Sequence, residues 1–166
     1  MGQPIDKSLK MRMISVMREL HLIAHDIRSR ENVGSLFRTA DSLGVKKLWL
    51  TGYTPAPPDA KISKVALGAE KNVPFETHLD IAVALNYFKE EQIPVYALEI
   101  TPDAQDLKSA VLPDTMALLL GTETTGIPPS LLAECEGAVK IQQQGMKESL
   151  NVSVAAGIAS WSILNR

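Results

Sequence analysis

A continuous apolar run, Met116-Ala117-Leu118-Leu119-Leu120, constrains the fold of this chain most strongly. The run has the length of a β-strand, and the lack of polar alternation predicts that both faces of the strand are covered. Strands of this kind occur in parallel sheets that carry helices on both sides. Gly121 follows directly, so the strand ends in a loop at the carboxyl edge of the sheet, where such folds bind ligands.

The segments on either side of this run alternate between strand and helix patterns. Apolar runs of strand length lie at 20–24, 47–51, 95–100 and 137–142. Helical patterns lie at 33–43, at 81–91 and from Ser149 nearly to the C-terminus, with Asn32, Gly44 and Asp80 as the predicted caps. Prolines predict a loop after the second strand, at Pro55, Pro57 and Pro58. The alternation predicts an α/β fold with a mostly parallel sheet flanked by helices.

A chain of 166 residues is long enough for a single domain with a full core. The first 19 residues have an apolar stripe with basic residues beside it, so we expect a basic amphipathic helix at 1–19 and one domain at 20–166. No apolar run approaches the ~20 residues of a membrane span, and no secretory signal is present, which favours a cytoplasmic protein. The single cysteine, Cys135, excludes an internal disulfide.

The charges divide unevenly between the two halves of the chain. Residues 1–71 carry 12 Lys and Arg against 7 Asp and Glu, whereas residues 72–166 carry 5 against 12. A split of this kind suggests that one face meets an anion such as nucleic acid. The overall pI of 5.9 disfavours a strong non-specific nucleic-acid binder.

Three segments contain more glycines and polar residues than folding alone requires. In the first, 32–40, Gly34 lies in a helical turn and indicates close approach by a backbone or a ligand. Arg38 follows one turn later and could face the same site, or it could be a solvated arginine on a surface helix.

The second segment, 120–128, brings two glycines, three threonines and Glu123 to the end of the buried strand. Its backbone groups could hold a flat polar ligand such as a purine or a ribose, or Glu123 could simply interact with a helix dipole. In the third, 141–157, Asn151 and Ser153 need partners in the protein or a ligand, and Ser149 is a good N-cap. The small residues 155–157 suit close helix packing or a dimer contact.

Several common chemistries are disfavoured by missing motifs. The chain has no G-x-G-x-x-G, no G-x-x-x-x-G-K-[ST] and no G-x-S-x-G, so a Rossmann dinucleotide site, a P-loop and an α/β-hydrolase elbow are all unexpected. The three histidines, His21, His25 and His78, have no metal-ligand spacing. Glu134 and Glu136 are expected to raise the pKa of Cys135, which makes a nucleophilic thiolate improbable.

Together the three segments resemble the signature motifs of the SpoU (TrmH-type) RNA 2′-O-ribose methyltransferases of the SPOUT superfamily. The first motif is Asn32-Val33-Gly34 with Arg38-Thr39-Ala40, and the second is 120–128. The third is Ile141, Gly145 and Ser149-Leu150-Asn151-Val152-Ser153. The order and spacing of the motifs make the resemblance specific, and it extends from about Leu20 to the C-terminus.

The resemblance implies a C-terminal deep trefoil knot, a homodimer, S-adenosylmethionine as cofactor, no metal, and tRNA or rRNA as substrate. It assigns a catalytic role to Arg38, Asn32, Glu123, Ser149 and Asn151. It implies that the cofactor contacts Leu98, Leu120, Gly121, Gly126, Ile141, Gln143, Gly145 and Leu150, largely through backbone groups. Arg38 is either a base assisted by an RNA phosphate or a group that positions the ribose, because arginine itself remains protonated.

Two departures from the family pattern keep other functions open. The third motif commonly reads Ile-Pro-Met, whereas this chain has Ile141-Gln142-Gln143, which is compatible with a non-catalytic RNA-binding relative. Base methylation, as in other knotted enzymes, is a further alternative. The chain also shows no separate RNA-binding domain, so the surface expected to dock the RNA is the basic 1–71 segment. It includes Lys61, Lys64 and Lys71 on the loop after the second strand, and these lysines could equally serve only to keep the protein soluble.

Overall fold

The structure is a computed structural model that describes residues 18–146 and 149–166. The helix predicted at 1–19 therefore lies outside the described residues, apart from its last two positions. The strands are β1 (Glu19–His25), β2 (Lys47–Thr51), β3 (Phe75–His78), β4 (Val95–Leu98), β5 (Gln105–Asp106), β6 (Thr115–Leu120) and β7 (Gly137–Lys140). The α-helices are α1 (Arg30–Leu43), α2 (Ala60–Ala66), α3 (Ile81–Glu90), α4 (Pro129–Leu132) and α5 (Val152–Leu164).

The strands form one seven-stranded sheet in the order β3-β2-β1-β6-β4-β7-β5, and every strand pair is parallel. The predicted α/β class with a parallel sheet is confirmed. β6 lies at the centre, where Leu118 is in register with Leu22 of β1 and with Tyr96 of β4.

The central strand β6 is covered on both faces, as its apolar run predicts. Met116, Leu118 and Leu120 belong to the core beneath α1 and α5, whereas Ala117 and Leu119 belong to the core beneath α3. All five are at most 1% exposed. Burial on both faces shields the strand from water, and because all strands are parallel, its carboxyl end lies at the same edge of the sheet as theirs.

Two helix starts differ from the predicted ones. Ser29, not Asn32, caps α1, and its hydroxyl accepts a hydrogen bond from the amide of Asn32. Asn151, not Ser149, caps α5, and its side-chain oxygen accepts from the amides of Ser153 and Val154. In both helices the predicted cap residue is therefore not used as a cap. The side chains of Asn32 and Ser149 remain near the carboxyl edge of the sheet. The predicted C′ residue Gly44 is confirmed, in a left-handed conformation.

The region after β2 contains more regular structure than its prolines suggest. Asp59 caps α2, a 3-10 turn follows at Ala69–Lys71, and β3 comes next. Lys61 and Lys64 therefore lie on a helix and Lys71 in a turn, not on a loop. β4 and β7 end two residues before their predicted ends, at Leu98 and Lys140, because the chain turns there into the loops at the sheet edge. None of the described helices has the length and apolar character needed to cross a bilayer.

The close approach that Gly34 predicted is made by a backbone, not by a ligand. A Cβ at position 34 would lie 2.7 Å from the carbonyl oxygen of Ile62 and 2.8 Å from the Cβ of Val65. Glycine thus lets α1 pack directly on α2 and supports the helix that carries Asn32 and Arg38. Gly34 and Arg38 do not share a site.

We expect Gly34→Ala to destabilise the protein by about 1–3 kcal/mol, because the α2 backbone would have to shift. Asp41→Ala is the control, since it also introduces alanine into α1, but at an exposed position. That variant should be neutral or up to about 1 kcal/mol more stable, through helix propensity. Urea unfolding of both variants measures the difference, and equal stabilities would contradict the packing argument.

Candidate active site

The three predicted motifs meet at the carboxyl edge of the sheet. Two adjoining cavities open there, of about 580 Å³ and about 100 Å³. The larger is lined by residues 120–126, at the end of β6 and in the loop after it, and by residues 149–152, which lead into the first turn of α5. The smaller is mostly apolar and is lined by Leu98, Ile100, Ile141, Leu150 and Ala155, with Glu99, Lys140, Gln143 and Ser149 at its polar side.

The loop after β6 folds back on itself to form one wall of the larger cavity. The backbones of Thr122 and Gly126 exchange hydrogen bonds of 3.1 and 3.2 Å, and the hydroxyl of Thr122 accepts from the amide of Thr125. A Cβ at Gly121 would lie 2.4 Å from the carbonyl carbon of Gly126, so the two ends of the loop meet closely. A wall made of glycine backbone can approach a bound ligand more closely than one made of side chains.

A relay of side chains links the first, second and third motifs. The Nδ2 of Asn151 donates to the Oδ1 of Asn32 over 3.1 Å, and the Nδ2 of Asn32 donates to the carboxylate of Glu123 over 3.0 Å. The amides of Arg28 and Ser29 also point to this carboxylate, at 3.4 and 3.3 Å. Because each side chain orients the next, the relay joins the starts of α1 and α5 to the loop after β6.

These donors determine the charge state of Glu123. Partial burial by itself would raise the pKa of its carboxyl, but the hydrogen bonds from Asn32 and from nearby backbone amides outweigh burial and lower the pKa below its ordinary value. Glu123 is therefore ionised at neutral pH and fixes the orientation of the Asn32 amide. It anchors the segment before α1 and does not contact Arg38.

Arg38 lies on the exposed side of α1, away from the relay. It borders an open cavity of about 450 Å³ together with Ser35, Thr39, Ser42, Leu43, Gly157 and Trp161. No hydrogen bond or ion pair joins Arg38 to another side chain in residues 18–146 and 149–166. Its side chain is exposed among the described residues.

Most of the predicted cofactor residues line the two cavities, namely Leu98, Leu120, Gly121, Gly126, Ile141, Gln143 and Leu150. Ser149 lines both cavities as well. Gly145 lines neither of them and is exposed. Sequence reasoning missed Glu99, which lines both cavities; its position directly after a strand at the carboxyl edge could have indicated it.

The other reactive side chains do not form a second centre. Within the described ranges, no three His, Cys, Asp or Glu side chains are placed to hold a metal ion. His25 contacts the hydroxyl of Thr51 at 3.0 Å, and His78 contacts Glu76 at 2.9 Å. The pKa of Cys135 is raised to about 11, in the predicted direction, but burial is the main cause, with a smaller contribution from Glu134 and none from Glu136.

Comparison with known proteins agrees with this arrangement. The profile of the SpoU rRNA Methylase family matches residues 19–161. The tRNA (guanosine(18)-2'-O)-methyltransferase of Thermus thermophilus is 31% identical over 140 residues, which cover 84% of this chain and 71% of that protein. The 23S rRNA (guanosine-2'-O-)-methyltransferase RlmB of Neisseria meningitidis is 35% identical over 139 residues, which cover 84% of this chain and 55% of that protein. An AdoMet-bound rRNA methyltransferase from Sinorhizobium meliloti has a TM-score of 0.77 at 25% identity, covering 87% of this chain and 55% of that chain.

Replacing Glu123 by Gln tests the charge of the relay. The lowered pKa means that the contribution of Glu123 to stability is complete above the unfolded-state pKa, about 4.3, and is lost as the pH falls through the folded-state pKa. Wild type should therefore exceed E123Q in stability at pH 7, by under about 1 kcal/mol because solvent screens the carboxylate. The difference should shrink in acid.

The control is Glu90→Gln, which changes an exposed carboxylate of α3 that has no hydrogen-bond partner among the described residues. Urea unfolding from pH 7 to pH 3 compares the three proteins. A difference between wild type and E123Q that stays constant across this range would contradict the assigned hydrogen bonds.

Proposed function

The chain belongs to the SpoU family of RNA methylases, and from this membership we propose that it transfers the methyl group of S-adenosylmethionine to a ribose 2′-hydroxyl of tRNA or rRNA. The observation that carries the proposal is the relay from Asn151 through Asn32 to Glu123, which lies beside a cavity with a glycine wall. All three motifs thus contribute to one site.

The described residues fit the cofactor. The smaller apolar cavity suits a flat heterocycle, held between Leu98, Ile141 and Leu150. The larger cavity offers the backbone of Gly121 and the polar edge of 122–125 to the rest of the molecule. The departure at Gln142-Gln143 leaves the smaller cavity open, since Gln143 is one of its lining residues and Gln142 lines a separate cavity instead.

The bound cofactor would supply a methyl group already activated on a sulfonium, so the protein has to orient the acceptor hydroxyl, whose proton is released to solvent as the methyl group is transferred. Arginine is a poor base because it remains protonated. We assign Arg38 to the phosphate next to the acceptor ribose, where a planar guanidinium binds two oxygens and holds the hydroxyl in line. Asn32, Asn151 and Glu123 hold α1 and the cavity wall in fixed relation, and Ser149 adds a hydroxyl at the junction of the cavities.

A second copy of the chain would complete the site. Apolar side chains are exposed along α5 and just before it, at Leu150, Val154, Ile158 and Trp161. Their spacing places them on one side of the helix, next to the cavity that Arg38 borders. We infer that this stripe forms a homodimer contact, with Arg38 of one copy near the cofactor cavity of the other.

Two further features of the family are proposed for this chain. The first is a trefoil knot in the C-terminal segment. Family membership supports it, and so does the sheet order, in which β7 lies between the earlier strands β4 and β5. The second is an RNA-docking surface that includes the exposed Lys61, Lys64 and Lys71, which would position the phosphate backbone without reading sequence. We place the reaction in the cytoplasm, where unmodified RNA and cofactor are both present, and treat 20–166 as the catalytic domain.

Arg38→Ala should abolish methyl transfer while leaving cofactor binding intact. Transfer from labelled S-adenosylmethionine to unmodified tRNA, and separately to unmodified rRNA fragments, should fall by at least about 100-fold. Cofactor affinity, measured by calorimetry, should stay within about twofold, because Arg38 lines neither cofactor cavity. Nuclease digestion of the product should locate the label on a ribose.

The control is Lys89→Ala, an exposed cation of α3 at the opposite edge of the sheet, which should behave as wild type. Wild-type transfer by R38A would overturn the role of Arg38. Label on a base would favour base methylation. RNA binding without cofactor binding by the wild type would favour the non-catalytic relative.

Trp161→Glu should convert the dimer to a monomer, because a charge in the apolar stripe would be desolvated at the contact. Trp161 is 61% exposed in the single chain, so the substitution should leave the fold intact. Val111→Glu, at a site 89% exposed and outside the stripe, is the control. Light scattering after gel filtration should give twice the chain mass for wild type and V111E. A wild-type monomer, or a dimeric W161E, would contradict this contact.

A further inference from the structure

Glu99 lies at the carboxyl end of β4 and has no role in the family motifs. Its Oε2 accepts a hydrogen bond of 2.9 Å from the amide of Ile127, and its Oε1 accepts one of 2.9 Å from the amide of Ile100. A Cβ at Gly126 would lie 2.2 Å from Oε2, so the loop after β6 closes directly onto this carboxylate. Glu99 therefore connects the end of β4 to the wall of the larger cavity.

The same side chain lies where the two cavities join. Five residues line both cavities: Leu98, Glu99, Ser149, Leu150 and Ala155. Only Glu99 and Ser149 among them have side chains that form strong hydrogen bonds, and only Glu99 is charged. A carboxylate at this junction must face the part of a ligand that links its two ends.

The chemistry of an ionised carboxylate restricts what can face it. Each oxygen has two lone pairs, and each uses one of them on a backbone amide, so both oxygens can accept one more hydrogen bond. The ligand must therefore present donors, and a vicinal diol presents two side by side. In an adenosine-containing ligand, the ribose links the flat heterocycle to the remainder and carries such a diol.

We propose that Glu99 binds the 2′- and 3′-hydroxyls of the cofactor ribose. This inference rests on the proposed function, which supplies the cofactor, and it adds a residue that the motifs do not contain. The amides of Ile127 and Ile100 hold the carboxylate in place before the cofactor arrives, which limits the entropy lost on binding. Ribose recognition and closure of the loop after β6 thus depend on one side chain.

A pair of ligands separates ribose recognition from support of the loop. The probes are S-adenosylhomocysteine and its 2′,3′-dideoxyribose analogue, with affinities measured by calorimetry. Wild type should bind the diol form about 10- to 100-fold more tightly, as expected for hydrogen bonds to a charged acceptor. Glu99→Ala should reduce this preference to within about threefold. Glu99→Gln keeps a neutral acceptor of the same shape and should show an intermediate preference.

Asp103→Asn is the control, since it changes a carboxylate of the same connection that lines neither cavity, and it should keep the wild-type preference. Circular dichroism and unfolding confirm that each variant is folded; if E99A is not, E99Q decides the result.

The outcomes separate this inference from the proposed function. Failure of wild type to bind S-adenosylhomocysteine at all would overturn the proposed function, and this inference with it. If wild type binds both ligands equally, or if E99A weakens both to the same extent and keeps the preference, the cofactor site stands but Glu99 is only a loop anchor. Loss of the preference in E99A with retained binding of the dideoxy analogue would support ribose recognition.

Discussion

The burial of β6 on both faces is the constraint on which the rest of this structure depends. A strand at the centre of a parallel sheet makes hydrogen bonds to both neighbours along its length, but its chain must leave the sheet at the carboxyl end. There the backbone needs new partners, and the loop finds them within itself, through the bonds between Thr122 and Gly126. This self-closure requires glycine at 121 and 126, and it creates the wall along which a ligand can lie.

Capping at the neighbouring helices determines which side chains remain for that ligand site. Ser29 caps α1 by accepting from the backbone amide of Asn32, so the Asn32 side chain is free to donate through Nδ2 to Glu123. Asn151 uses its oxygen as the cap of α5 and its nitrogen as a donor to Asn32. One side chain thus stabilises a helix and orients the site, so a change at Asn151 would affect both. The hydrogen bond from Asn32 is one cause of the lowered pKa of Glu123.

The two cavities at the sheet edge and Arg38 lie on different sides of the same framework. α1 carries Asn32 inward to the relay and Arg38 outward to an open cavity, and α5 borders both regions. Close packing of α1 on α2 at Gly34 keeps this helix in place. A single chain therefore has the two cavities on one side of α1 and an exposed arginine on the other, and this separation is the physical reason for the proposal that a second copy brings them together.

Short sequence patterns predict part of the fold and of the candidate site. The apolar run predicts the buried strand, Gly44 and Asp80 predict helix ends, and the motifs contain most of the residues that line the two cavities. The tertiary structure alone decided which distant residues meet. Asn32 is 91 residues from Glu123 and 119 from Asn151 in the chain, yet it is hydrogen-bonded to both. Glu99 likewise accepts a hydrogen bond from the amide of Ile127, 28 residues away. The cap at Ser29, the backbone neighbour of Gly34 and the helix under Lys61 and Lys64 also depend on the tertiary structure. Local propensities select among a few conformations for a short segment, whereas the partner of a polar side chain is chosen by the path of the whole chain, which no local pattern contains.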